Sequence, residues 1–145
     1  MPYTPPDMSE IQLLICEVGI GCNLSHLHDR CPAHLGTDRY ERLDCSHLLD
    51  DDTIVATAKR FYGDFGFTGL VGWHYYNEPL VYADRMFGLM ARIRRAVPAS
   101  RFLLWTNGTL IPADPVAFWV FERIVVTDYD DEQSPRHLEA LRRVC

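Results

Sequence analysis

Apolar and polar positions along the chain run in four similar rounds: a short apolar stretch, a polar cluster, then apolar residues at helical spacing. The first stretch, Gln12-Leu13-Leu14-Ile15-Cys16-Glu17-Val18, predicts a strand, after which Gly19 and Gly21 open a loop over roughly residues 21–49. Asp50-Asp51-Asp52-Thr53 reads as a helix start, with Ile54, Ala58, Phe61 and Tyr62 on one face and Gly63 and Gly66 ending it. The second strand spans Thr68 to Tyr75 and runs into Asn77-Glu78-Pro79. Its helix carries Met86, Met90, Ile93 and Val97 on one stripe, which reads as core packing, and Arg92, Arg94 and Arg95 towards its end before Pro98. The third strand, Arg101 to Trp105, stops at Thr106-Asn107-Gly108, and Asp114-Pro115 caps a short apolar helix through Phe121. The fourth strand, Arg123 to Thr127, ends in Asp128-Tyr129-Asp130-Asp131, and Ser134-Pro135 starts a last helix with Leu138 and Leu141 inward.

This order predicts an α/β fold of four consecutive βα units around a parallel sheet, a half or partial TIM-type barrel. Near-continuous apolar strands such as Phe102 to Trp105 suit a sheet covered on both faces. In every unit the polar residues gather just after the strand, at the end of the sheet where such folds bind ligands. A closed barrel takes eight strands, so four units leave two open edges. The expectation is a homo-oligomer or a partner subunit that completes the barrel, with pairing to a second copy preferred; a half-barrel fragment of something longer and a four-stranded sheet with protected edges are the alternatives.

Composition narrows the classes. A chain of 145 residues has room for one domain, taken as residues 1–145 with 1–10 as an extended N-terminal segment. At 48% hydrophobic, 23% charged and 12% aromatic it is not a disordered chain, and no apolar run approaches a membrane span. A net charge of −6 without a basic stripe argues against nucleic acid as a partner. The N-terminus, Met1 to Asp7, has no basic or apolar signal region, so a cytoplasmic location is expected.

Four of the five cysteines (Cys16, Cys22, Cys31, Cys45) and four of the six histidines (His26, His28, His34, His47) fall between residues 16 and 47. In a reducing compartment such a group is more often a metal or redox site than a disulfide framework. His34 and His47 taken singly read as surface histidines. His74, at the end of the second strand, reads as a hydrogen-bonded core histidine or as one facing the cavity. Gly19-Ile20-Gly21 begins like a dinucleotide fingerprint, but Leu24 stands where the third glycine belongs and a loop follows instead of a helix. Neither a G-x-S-x-G elbow nor a Walker motif is present.

Together the strand ends resemble the radical S-adenosylmethionine (radical SAM) superfamily over about residues 12–131. The matching segments are Gly21-Cys22-Asn23-Leu24, Asn77-Glu78-Pro79-Leu80, Thr106-Asn107-Gly108 and Val126-Thr127-Asp128, in the order in which that family carries a CNL-type cluster motif, a GGEP-like motif, a TNG and a Ser-x-Asp-like strand end. The resemblance implies that the region of Asn77 and Glu78 holds the amino group of the methionine moiety of SAM. It implies that Asn107 lines the SAM pocket and that Thr127 and Asp128 lie near the ribose or carboxylate. Without it, Asn77-Glu78-Pro79 reads as a turn and helix start, and Asn107-Gly108 as a turn.

The family's C-x3-C-x2-C motif holds a [4Fe–4S] cluster, and here the sequence departs from it. With Cys22 first, His26 and Asp29 occupy the second and third positions. Imidazole can replace thiolate at such clusters, whereas aspartate is a poor substitute. A second register uses Cys22 and Cys31 with Cys16, Cys45, His26 or His28 as third ligand. Three readings of the loop stay open: an unconventional iron–sulfur site, a zinc site built from the same residues, and a degenerate loop without a metal. The resemblance implies an enzyme that generates a 5′-deoxyadenosyl radical from SAM and acts on a small-molecule or peptide substrate. The alternative is a non-catalytic subunit that binds SAM, zinc or a partner protein without redox chemistry.

Overall fold

The computed structural model describes residues 10–24, 48–74, 77–112, 114–127 and Glu139. Four strands, β1 (Leu13–Cys16), β2 (Leu70–Trp73), β3 (Arg101–Thr106) and β4 (Arg123–Val126), form one parallel sheet in the order β1-β2-β3-β4. Helix α1 (Asp51–Asp64) connects β1 to β2, and α2 (Ala83–Ala96) connects β2 to β3. This is the expected α/β architecture, consistent with a partial TIM-type barrel.

Local chemistry explains the helix boundaries. Asp50 caps α1 by accepting from the Thr53 backbone N–H at 2.8 Å, and Asp51 and Asp52 put negative charge at the positive end of the helix dipole. Arg94 and Arg95 complement the opposite end of α2. The segment after Pro115 forms a 3-10 helix, Val116–Val120, with Asp114 accepting from the Val116 N–H. Of the last predicted helix only Glu139 is described, and it is helical.

Two strands are shorter at their ends than the apolar pattern predicts. The β1 ladder closes at Cys16, whose carbonyl accepts from the His74 N–H, and β2 stops at Trp73 because His74 takes φ +87°. A positive φ at a residue with a Cβ breaks the extended backbone that a ladder requires. One face of the sheet packs Val71, Trp73, Phe102 and Leu104 with Ile54 and Ala58 of α1 and Met86, Met90 and Ile93 of α2, so the methionine stripe is core, as expected. On the opposite face Gly72 lies beside Leu13, Ile15 and Leu103.

Candidate functional site

The parallel register brings all four strand ends to one edge of the sheet. Cys16 pairs with Trp73 and Trp73 with Leu104, while Thr106 pairs with Val126. The polar residues that follow β1, β2 and β3 meet there, and hydrogen bonds join them into one network.

Glu78 sits at its centre, with 1% of its surface exposed. Its Oε1 accepts from the Leu80 N–H at 3.1 Å and the Thr106 hydroxyl at 2.8 Å, and its Oε2 from the Asn107 N–H at 2.7 Å. The same carboxylate thus caps the 3-10 helix Pro79–Tyr82 and ties the tip of β2 to that of β3. Burial raises its pKa, and the three donors, Asn107 first, act against that shift. A carboxylate offers about four acceptor positions, so one on Oε2 is left over.

Asn77 connects the β1 loop to the same place. Its Oδ1 accepts from the Gly21 N–H at 2.7 Å, and its Nδ2 donates to Glu17 Oε2 at 2.9 Å. The Glu78 N–H donates to the Gly21 carbonyl at 2.9 Å. Gly21 meets both partners at φ +135°, a conformation open to glycine alone among common residues. Arg85 of α2 holds the approaches of the long loop, donating to the carbonyls of Val18 and Leu49 at 2.9 Å each while contacting Asp51.

Asn107, 4% exposed, binds the β1 loop from the β3 side. Its Oδ1 accepts from the Thr109 N–H and hydroxyl at 3.0 and 2.8 Å. Its Nδ2 donates to Asn23 Oδ1 at 2.8 Å and to Cys22 Sγ at 3.7 Å. Asn23 Nδ2 closes a ring by donating to Thr109 Oγ1 at 2.7 Å. The turn behind this ring needs Gly108, which has φ +82° and would bring a Cβ to 2.8 Å from Val126.

Of the residues singled out from the sequence, Cys22, Asn77, Glu78 and Asn107 share this network. Thr127 follows β4, is exposed, and donates its N–H to the Thr106 carbonyl at 2.9 Å. Cys16 lies within β1, where burial first and Glu17 second push its thiol up to about 11. Asp128, Cys31, His26, His28, Cys45, Asp29, His34 and His47 lie outside the described residues. Among the described residues no three His, Cys, Asp or Glu side chains gather as a metal site. The sequence reading missed Glu17 and Thr109 as members of the network. Asn23 was legible only as part of the Cys22 motif.

His74 departs from the hydrogen-bonded core histidine first expected. It is half-buried, its Nδ1 has no hydrogen-bond partner, and Glu17 Oε2 stands 3.8 Å away. Burial lowers its pKa from 6.5 to about 4, with Glu17 opposing, so at neutral pH the imidazole is neutral and the contact is no ion pair.

Fold and site together define a partial barrel with a polar network at its strand tips. No family model and no curated relative matches the chain. Among solved structures it is similar to BtrN in complex with AdoMet and 2-DOIA, with a TM-score of 0.58 and 19% identity over 84% of this chain and 47% of that one. The chain therefore spans about half the length of that structure, and the likeness is one of fold, an α/β partial barrel. None of the described helices is long and apolar enough to cross a membrane.

Proposed function

We propose that this chain belongs to a radical SAM-type enzyme and binds an iron–sulfur cluster and SAM at its strand tips. The observation that carries this reading is the hydrogen-bonded convergence of Cys22, Glu78 and Asn107, from three successive strand ends, on one edge of the sheet. A fold neighbour crystallised with AdoMet supports it.

The donor chemistry fits in part. Cys22 is a partly exposed sulfur that receives an N–H donor, the setting a thiolate ligand requires. Cys31 and His26 complete the ligand set. Cys16 is less suited, since burial inside a strand holds its thiol protonated. A bound [4Fe–4S] cluster supplies one-electron chemistry, the reductive opening of the SAM carbon–sulfur bond to a 5′-deoxyadenosyl radical. The protein's part is to bind and orient. The region of Asn77 and Glu78 receives the methionine ammonium group. Asn107 lines the pocket, Thr127 and Asp128 take the ribose or carboxylate, and a small molecule or peptide is the substrate. A second copy or a partner subunit pairs with the open edges at β1 and β4, which light scattering at several concentrations tests; a monomer throughout counts against it.

His26 and Asp29, standing where the family pattern has cysteines, favour a second reading. In it the chain is a subunit that binds SAM, zinc or a partner protein without redox chemistry. Anaerobic reconstitution with iron and sulfide separates the two. The enzyme gives broad visible absorbance and releases 5′-deoxyadenosine from SAM on reduction, and Cys22→Ala or Cys31→Ala loses the colour. A colourless protein that still binds SAM overturns the first reading in favour of the second.

A further inference from the structure

One short stretch of chain, from Glu78 to the first turn of α2, holds three backbone carbonyls of the segment that leaves β1. The Glu78 N–H donates to the Gly21 carbonyl at 2.9 Å, the Tyr82 hydroxyl to the Ile20 carbonyl at 2.8 Å, and the Arg85 guanidinium to the Val18 carbonyl at 2.9 Å. Gly19 lets the Tyr82 ring lie against its backbone, since a Cβ there would stand 2.1 Å from two ring carbons. Arg85 also donates to the Leu49 carbonyl at 2.9 Å and to Asp51 Oδ1 at 2.8 Å, so one planar fork joins the exit from β1 to the entry of α1. Arg92, two turns further along α2, contacts Asp51 and Asp52 instead. The same stretch grips β3, because the Glu78 carboxylate accepts from the Thr106 hydroxyl and the Asn107 N–H.

We propose that Tyr82 and Arg85 are positioning residues for the strand-tip site: they hold residues 18–21 against the start of α2 and so fix where Gly21 meets Asn77 and Glu78. Both act through the backbone. Their bonds end at Val18 and Ile20, and Gly21, next in the chain, carries the N–H that Asn77 Oδ1 accepts at 2.7 Å. Gly21, at φ +135°, has the conformational freedom of glycine, so its place is imposed by its neighbours. That a ligand at the tips feels the loss of either residue rests on the SAM reading above; the holding of Gly21 does not.

Amide exchange followed by NMR tests the holding in protein without ligand. Arg85→Met removes three charge-assisted bonds and should speed exchange of the Gly21 N–H about tenfold, while the Val71 and Leu104 amides of the sheet keep their rates. Tyr82→Phe loses one hydroxyl, should give a smaller rise at the same amide, and keeps the test decisive if Arg85→Met does not fold. Arg92→Met breaks contacts to the same helix α1 and should leave Gly21 at the wild-type rate. A merely structural role would speed sheet and loop amides together, in Arg92→Met as in Arg85→Met. That result, or unchanged Gly21 exchange in both Arg85→Met and Tyr82→Phe, overturns the proposal. Equilibrium binding of SAM reads the consequence: Arg85→Met should weaken it severalfold and Arg92→Met should not. Unchanged SAM affinity in a variant whose Gly21 exchange has risen overturns the positioning of the ligand site. If the wild-type chain binds no SAM, the functional reading falls, while the exchange rates still decide whether Tyr82 and Arg85 hold Gly21.

Discussion

The two ends of the sheet are held by different chemistry. At the end where the strands begin, Arg101 contacts Glu122 with a forked guanidinium and donates to the Thr68 carbonyl at 3.0 Å, while the Tyr62 hydroxyl donates to the Gly69 carbonyl at 3.0 Å. The charged pair there is exposed, and Glu122 is held below the usual carboxylate range by its hydrogen bonds to Arg101. At the end where the strands finish, the partners are Glu78, Thr106, Asn107 and Asn23, bound over short distances and mostly shielded from water. The first arrangement is a surface fastening that solvent screens. The second places a carboxylate and an amide where desolvation strengthens each bond and makes each loss costly. Burying polar groups costs stability, so a molecule that does so at one end of its sheet has a reason tied to that end.

The sharpest way to break this contrast is Glu78→Ala. It strands the Leu80 and Asn107 N–H groups and the Thr106 hydroxyl together, and should lower the unfolding free energy by about 3 kcal/mol in urea titrations. A loss no larger than that of an exposed residue would mean the network does not bind the tips.

Acid probes the same end more gently. Because the folded-state pKa of His74 is depressed to about 4 from 6.5, the unfolded chain binds more protons between those values. Stability from this group is therefore complete above about pH 6.5 and is lost progressively as the pH falls towards 4. Glu78 acts with the opposite sign, since burial raises its pKa. The comparison that isolates His74 is wild type against His74→Gln, whose stability should fall less over that window. Parallel curves would show that His74 is not desolvated.

The smallest effect belongs to the other end. Arg101→Ala or Glu122→Gln should shift the urea midpoint slightly, and added salt should shrink the difference between variant and wild type. A large, salt-insensitive loss would make the two ends alike.

Much of this layout was legible in the sequence. Apolar runs bounded by polar clusters gave the four strands in chain order, because the face packed on α1 and α2 admits only apolar side chains, although Ile15 on the opposite face is exposed. The Asp50 start and the Met86, Met90 and Ile93 stripe placed both helices for equally local reasons. Asn77, Glu78, Asn107 and Cys22 were legible as strand-end residues, yet which groups they face was not. Glu78 and Asn107 are 29 positions apart, and only the β2–β3 register sets them at 2.7 Å. The Asn107–Asn23–Thr109 ring depends on where the β1 loop returns, a long-range matter that spacing does not encode. The end of the second strand was read too late, at Tyr75, because an apolar run carries no local signal for the φ +87° of His74.

The most direct measurement is the iron, acid-labile sulfide and zinc content of the chain purified without oxygen. The account expects iron and sulfide in equal amounts, and both lost in Cys22→Ala. Zinc in their place, or neither metal nor sulfide, would contradict it.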